Sequence, residues 1–157
     1  MAHEVMHGEA AGDRPNVYER DYYTWALEQA CALKARRPKS LDWENLAEEV
    51  EDFARSERRE LESRLEVLLQ HLLKWQFQPK RRSHSWTATI AVQRFKIRRR
   101  LEQDPGIRPA IPEILADAYT AARIDLINGV LQGASSRPLE SCPWTFEQIM
   151  DEQFSPD

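Results

Sequence analysis

The sequence predicts an all-α fold, an up-down bundle of four to five helices built around one very long helix at about 42–77. Three observations carry that expectation. Apolar residues recur at three- and four-residue spacing along most of the chain. Only 5 of 157 residues are Gly, too few for a turn-dense β architecture. The Pro residues fall between the periodic segments rather than inside them.

Residues 1–16 are polar and without periodicity, and are expected to be a disordered leader ahead of a single helical domain at 17–154. From Asp21 the pattern is helical: Tyr22, Trp25, Ala26, Gln29, Ala32 and Leu33 share a face. Arg36 and Arg37 are placed in the last turn, where cations suit the helix dipole, and Pro38 is the stop. Asp42 is the expected N-cap of the long helix, with Leu41 and Leu46 in hydrophobic-staple register. Its apolar positions run Trp43, Leu46, Ala47, Val50, Phe53 and Ala54, pause, then resume at Leu61, Leu65, Leu68, Leu69, Leu72, Leu73 and Trp75. No Gly or Pro interrupts before Pro79, so the sequence favours one helix of ~50 Å over two.

Ser83 or Ser85 caps the next helix, whose stripe is Trp86, Ile90, Ile97 and Leu101. Trp86–Ile90 has strand-like composition, but the stripe continues at helical spacing. Asp104-Pro105-Gly106 reads as a turn, and a further helix starts near Pro109 or Pro112 and stops at Gly129. Residues 133–143 read as loop. Thr145 and Gln148 have capping-box spacing for a short last helix from Phe146 to about Gln153.

Charge is sorted by element. Residues 42–66 hold ten acids against four Arg, and residues 80–100 hold eight bases and no acid. Neighbouring helices of opposite charge complement each other, which accounts for the pattern without a ligand. The sharper reading is a nucleic-acid footprint on 80–100, and the net charge of −4 weighs against it. Arg98, Arg99 and Arg100 also point three ways around a helix and cannot follow one phosphate track.

Polar residues on the apolar face are the candidates for a site. Glu57, Arg64 and His71 form a seven-residue line along the seam of the long helix, and Arg94 lies between Ile90 and Ile97. A charge in a core stripe demands a partner, because desolvation costs several kcal/mol per ion, to order of magnitude. Arg94 is therefore expected to meet Glu57 or another acid of the long helix. The structural reading is a buried ion pair that fixes helix register. The catalytic reading is a pocket of Glu57, His71, Lys74, Arg81 and Arg94, suited to a phosphate ligand or to hydrolysis with His71 or Glu57 as acid or base. No cofactor-binding or metal motif is complete: Glu-x-x-His, His-x-x-x-His and the Gly-rich phosphate loop are missing, and Cys31 and Cys142 are isolated.

Several strings together resemble a bacterial family, domain-of-unknown-function family twenty-nine. They are Tyr-Glu-Arg-Asp-Tyr-Tyr-Thr-Trp (18–25), Leu-Asp-Trp-Glu-Asn-Leu-Ala-Glu-Glu-Val-Glu (41–51) and Ser-Glu-Arg-Arg-Glu-Leu-Glu-Ser-Arg-Leu (56–65). His-Leu-Leu-Lys-Trp-Gln-Phe-Gln-Pro (71–79), Arg-Ser-His-Ser-Trp (82–86) and Cys-Pro-Trp-Thr-Phe-Glu-Gln (142–148) extend the likeness over about 18–154. Ala54 stands where the family usually has a Gly, which favours the unbroken helix. The resemblance implies an all-helical bacterial protein and supplies no activity, cofactor or catalytic residue. The function expected from the residues is non-catalytic: a cytoplasmic helical protein acting through protein–protein contact or self-association. With no long apolar run, no membrane partner is expected.

Overall fold

In the computed structural model, which describes residues 17–132 and 136–157, every regular element is helical. The proposed leader, 1–16, lies outside the described residues. The chain divides into two compact units between Phe53 and Ala54.

The first unit holds α1 (Val17–Arg20), α2 (Tyr22–Lys34) and the start of α3 (Trp43–Phe77). The one-turn α1 was not anticipated. It is set apart because Asp21 leaves helical geometry to cap α2, its carboxylate accepting the Thr24 N–H at 3.0 Å. At the other end α2 stops at Lys34, short of the Arg36–Arg37 turn that the sequence suggested. Arg36 adopts a left-handed φ of 52°, and the Arg36 and Arg37 amides return to the Leu33 and Ala32 carbonyls. That closure satisfies the free carbonyls one turn before Pro38 would have broken the helix. Pro38 instead opens a 3-10 turn, Pro38–Ser40. Asp42 caps α3 through the Asn45 amide at 3.3 Å, as its position predicts.

The amino-terminal half of α3 meets α1 and α2 with its polar face. Tyr18 and Tyr22 donate to the two oxygens of Glu49 at 2.7 and 2.8 Å, and Trp25 Nε1 donates to Asp42 at 3.1 Å. The Asp42 amide donates to the Gln29 side chain at 2.8 Å. The three rings stack edge-on or tilted, with centroids 4.8–5.8 Å apart. Glu49 pushes the Tyr18 hydroxyl up to about 12, since a phenolate would lose its hydrogen bond to the carboxylate.

The second unit holds α3 from Ala54 onward, α4 (His84–Gln103), α5 (Ile111–Gly129) and α6 (Phe146–Met150). Trp43–Phe77 is one unbroken helix of 35 residues. Leu61, Leu65, Leu68, Leu69, Leu72 and Leu73 bury one side of it against Ile90, Ile97 and Leu101 of α4, Ile114, Ala118 and Ala122 of α5 and Ile149 of α6. Ala118 and Ala122 have no accessible surface, as expected where two helices approach closely. Polar side-chain contacts give the direction of each helix. Arg100, near the end of α4, reaches Glu57 and Glu60, so α4 runs antiparallel to α3. Arg58 meets Glu113 at 3.1 Å and Gln70 meets Asp125 at 2.8 Å, so α5 runs alongside α3 in the same sense.

Trp86–Ile90 is helical, and the long periodic stripe prevails over local strand propensity. Pro105–Ala110 is a 3-10 segment where a simple turn was expected, and α5 follows with Pro112 in its first turn. Gly129 is the last residue of α5 and Val130 its cap, so the glycine lies inside the helix end rather than just after its cap, where the sequence suggested it. Of the expected 133–143 loop, 136–143 is non-helical and 133–135 lies outside the described residues. The segment is pinned by Tyr119 Oη to the Leu139 carbonyl at 3.0 Å and by Arg123 to the Pro138 carbonyl at 3.3 Å. The capping box is formed in both directions, at 3.2 and 2.9 Å, and starts α6. The helix ends at Met150 rather than Gln153, because Asp151 turns into extended geometry.

Candidate interaction surface

The seam charges are built into the second unit differently from the expected pairing. Arg94 is 5% exposed on α4, and it does not meet Glu57. Its Nε donates to the Ile149 carbonyl and its Nη2 to the Phe154 carbonyl, each at 2.8 Å. These carbonyls are left free by the end of α6 and the turn after it, so Arg94 clamps the C-terminal segment onto α4. Burial holds its guanidinium below the usual range, while the nearby carboxylates of Asp151 and Glu152 act the other way. Glu57 is taken by Arg100, which also reaches Glu60 and Asp104, both at 3.4 Å. Arg64 pairs with Glu60 one turn away on its own helix.

His71 is half-buried, with Nδ1 2.8 Å from the Val67 carbonyl. Burial, with Lys74 nearby, lowers its imidazole below the ordinary value, against the pull of the Val67 hydrogen bond. Lys74 is half-buried and Arg81 is exposed in the 3-10 turn Pro79–Arg81. Arg94 lines a cavity of about 350 Å³ with Trp75, Thr87 and Glu152, whereas Glu57 lines one of about 510 Å³ with Ala54, Arg58 and Pro105. His71, Lys74 and Arg81 line neither. The five candidates are thus distributed along the unit rather than gathered in one cavity.

Much of the basic segment is engaged within the unit. Besides Arg94 and Arg100, Arg98 pairs with Glu152 at 3.1 Å. Arg82 lies 4.9 Å over the Trp75 ring and donates to the Trp75 carbonyl. Lys96 and Arg99 stay exposed on α4. They lie beside Val92 and Phe95, which are also exposed, on the side opposite Ile90, Ile97 and Leu101.

A second exposed apolar face lies on the first half of α3. Because Asp42 and Glu49 face α1 and α2, Trp43, Ala47, Val50 and Ala54 emerge on another side at spacings of four, three and four. Trp43 is 62% exposed, Val50 65% and neighbouring Phe53 68%. Glu44 and Glu48 stand exposed along one border. The spacing is that of a coiled-coil seam, in which one helix receives another. The sequence had marked these residues as an apolar face without showing that it is bare. The α4 face escaped notice, although Ala88, Val92 and Phe95 are exposed at spacings of four and three.

Among the described residues, no three His, Cys, Asp or Glu side chains gather to hold a metal ion. Cys142 hydrogen-bonds the Trp144 carbonyl at 3.5 Å, and burial raises its thiol above the usual range, away from the reactive thiolate. No helix among the described residues is long and apolar enough to cross a membrane.

Fold and surface together define an all-α protein with bare amphipathic helix faces. The family model described as Domain of unknown function DUF29 matches residues 17–155, and the chain belongs to that family. No curated protein and no solved structure matches it.

Proposed function

We propose that this chain is a non-catalytic bacterial protein of the cytoplasm that works through protein–protein contact. The docking surface is the amino-terminal half of α3, and the occupant it fits is an amphipathic helix with a basic border. The observation that carries this reading is the exposure of Trp43, Val50 and Phe53 on a face with coiled-coil spacing, bordered by Glu44 and Glu48. Large aromatic and branched side chains that converge on one exposed face are the usual anchors of an interface. The acidic border selects a basic partner and speeds its approach. The separation of Glu57 from Arg94 also favours a contact role over a shared catalytic pocket.

The test is photo-crosslinking in cells that make the protein, with benzoylphenylalanine in place of Val50 and, as control, in place of exposed Asn128. Position 50 should give a discrete adduct and position 128 none. Equal adducts at both positions, or none at either, would overturn the reading.

A further inference from the structure

Arg94 is a buried cation whose hydrogen bonds all go to neutral groups. A guanidinium carries five N–H donors in a planar fork. Its side edge, Nε and Nη2, is taken up by the Ile149 and Phe154 carbonyls, each at 2.8 Å. Its end edge, Nη1 with the second hydrogen of Nη2, has no partner among the described residues. Asp151 and Glu152 act on its charge from nearby, yet both are engaged elsewhere. Asp151 accepts the Gln153 amide at 2.9 Å, and Glu152 pairs with Arg98 at 3.1 Å. A cation withdrawn from water without a counter-ion is costly, and its unfilled donors favour an anion. Nη1 still has access to solvent, and the cavity of about 350 Å³ that Arg94 lines gives it that access. Trp75, Ile90 and Ala91 bring apolar surface to the same cavity, Gln153 and Ser155 neutral polar groups, and Glu152 a carboxylate.

We propose that this cavity binds a small monocarboxylate with an apolar body, whose carboxylate is received by the free edge of Arg94. The site lies wholly within the second unit and is independent of the α3 face. Three arguments select this ligand class. The two parallel donors of a guanidinium edge match the two oxygens of a carboxylate. Glu152 in the lining opposes a dianion such as phosphate, whereas a single negative charge is balanced by Arg94. Trp75, Ile90 and Ala91 offer the apolar contact that holds the rest of the molecule, in a volume within the ~300–1,000 Å³ of small-molecule sites. Since Glu152, Gln153 and Ser155 belong to the segment that Arg94 clamps, an occupied site also ties that segment more firmly to α4.

The experiment is an NMR titration of the isotope-labelled full chain with phenylacetate. Saturable shifts of the Trp75 indole and of the amides at 152–155 are the expected result. Phenylacetamide, of the same shape but neutral, should bind at least about ten-fold more weakly, and so should inorganic phosphate. Two variants leave the Arg94 clamp in place. Ala91→Phe fills the cavity from an exposed position on α4 and should weaken phenylacetate at least about ten-fold, with an unchanged far-UV spectrum. Glu152→Gln removes the like charge from the lining and should tighten phenylacetate about two- to five-fold. The absence of any saturable shift overturns the proposal. So does equal binding of phenylacetamide, which would mean that Arg94 does not read the charge. Undiminished binding to Ala91→Phe would put the probe outside the cavity, and phosphate binding as tight as phenylacetate would overturn the carboxylate assignment.

Discussion

The two units place the same helix in opposite environments. From Leu61 onward, α3 turns a row of leucines into a core shared with α4, α5 and α6, and that row has almost no accessible surface. Before Ala54, α3 turns carboxylates toward its neighbours, and three aromatic rings and a glutamine close over Asp42 and Glu49. Among the described residues of the first unit, only Trp25, Gln29 and Ala32 are buried. One half of the helix is thus held by non-directional apolar burial, the other by directional hydrogen bonds. The second arrangement leaves the apolar side of the helix open, and that exposure is what the proposed docking role rests on.

The comparison can be broken most severely in the leucine row. Leu68→Ala removes a fully buried side chain and should cost about 2–5 kcal/mol, read as a fall in the denaturant midpoint. A loss under about 1 kcal/mol would mean that the site collapses freely and that the row is not tightly packed.

Arg94→Met keeps the bulk but strands the Ile149 and Phe154 carbonyls, at a cost of about 1–3 kcal/mol. Hydrogen exchange should quicken first in 145–154, where the clamp is lost. Unaltered exchange there would show that the C-terminal segment is held by Ile149 and the Trp144–Phe154 contact alone.

The mildest change sharpens the first unit. Asp42→Ala removes the α3 cap and the acceptor of Trp25, for about 1 kcal/mol. Faster exchange should be confined to 22–46, and its spread into 61–73 would contradict the contrast between directional and apolar packing.

Much of the fold was legible because periodicity and capping are local. The uninterrupted helix, the capping box at Thr145 and Gln148 and the alanines of α5 can all be read within one or two turns. Arg94 was singled out for a sound reason, a charge between Ile90 and Ile97, yet its partners lie 55 and 60 residues away, in a segment without periodicity. Backbone carbonyls carry no sequence signature, so an acid was the natural but mistaken partner. Likewise, Glu57 pairs with Arg100 because the antiparallel course of α4 brings its last turns there, and no single helix reveals that. The α3 face shows a further limit: spacing tells that a face is apolar, but only the fold tells what covers it.

The absence of any Gly or Pro between Trp43 and Phe77 has a thermodynamic consequence. A helix is a cooperative lattice, in which each added turn extends an existing hydrogen-bond ladder without a new nucleation penalty. The turns at 43–54 and those that seat Leu61 belong to one such ladder. A partner that gripped the first would therefore hold the ladder ahead of Leu61 against fraying, while the leucine row keeps its own stability.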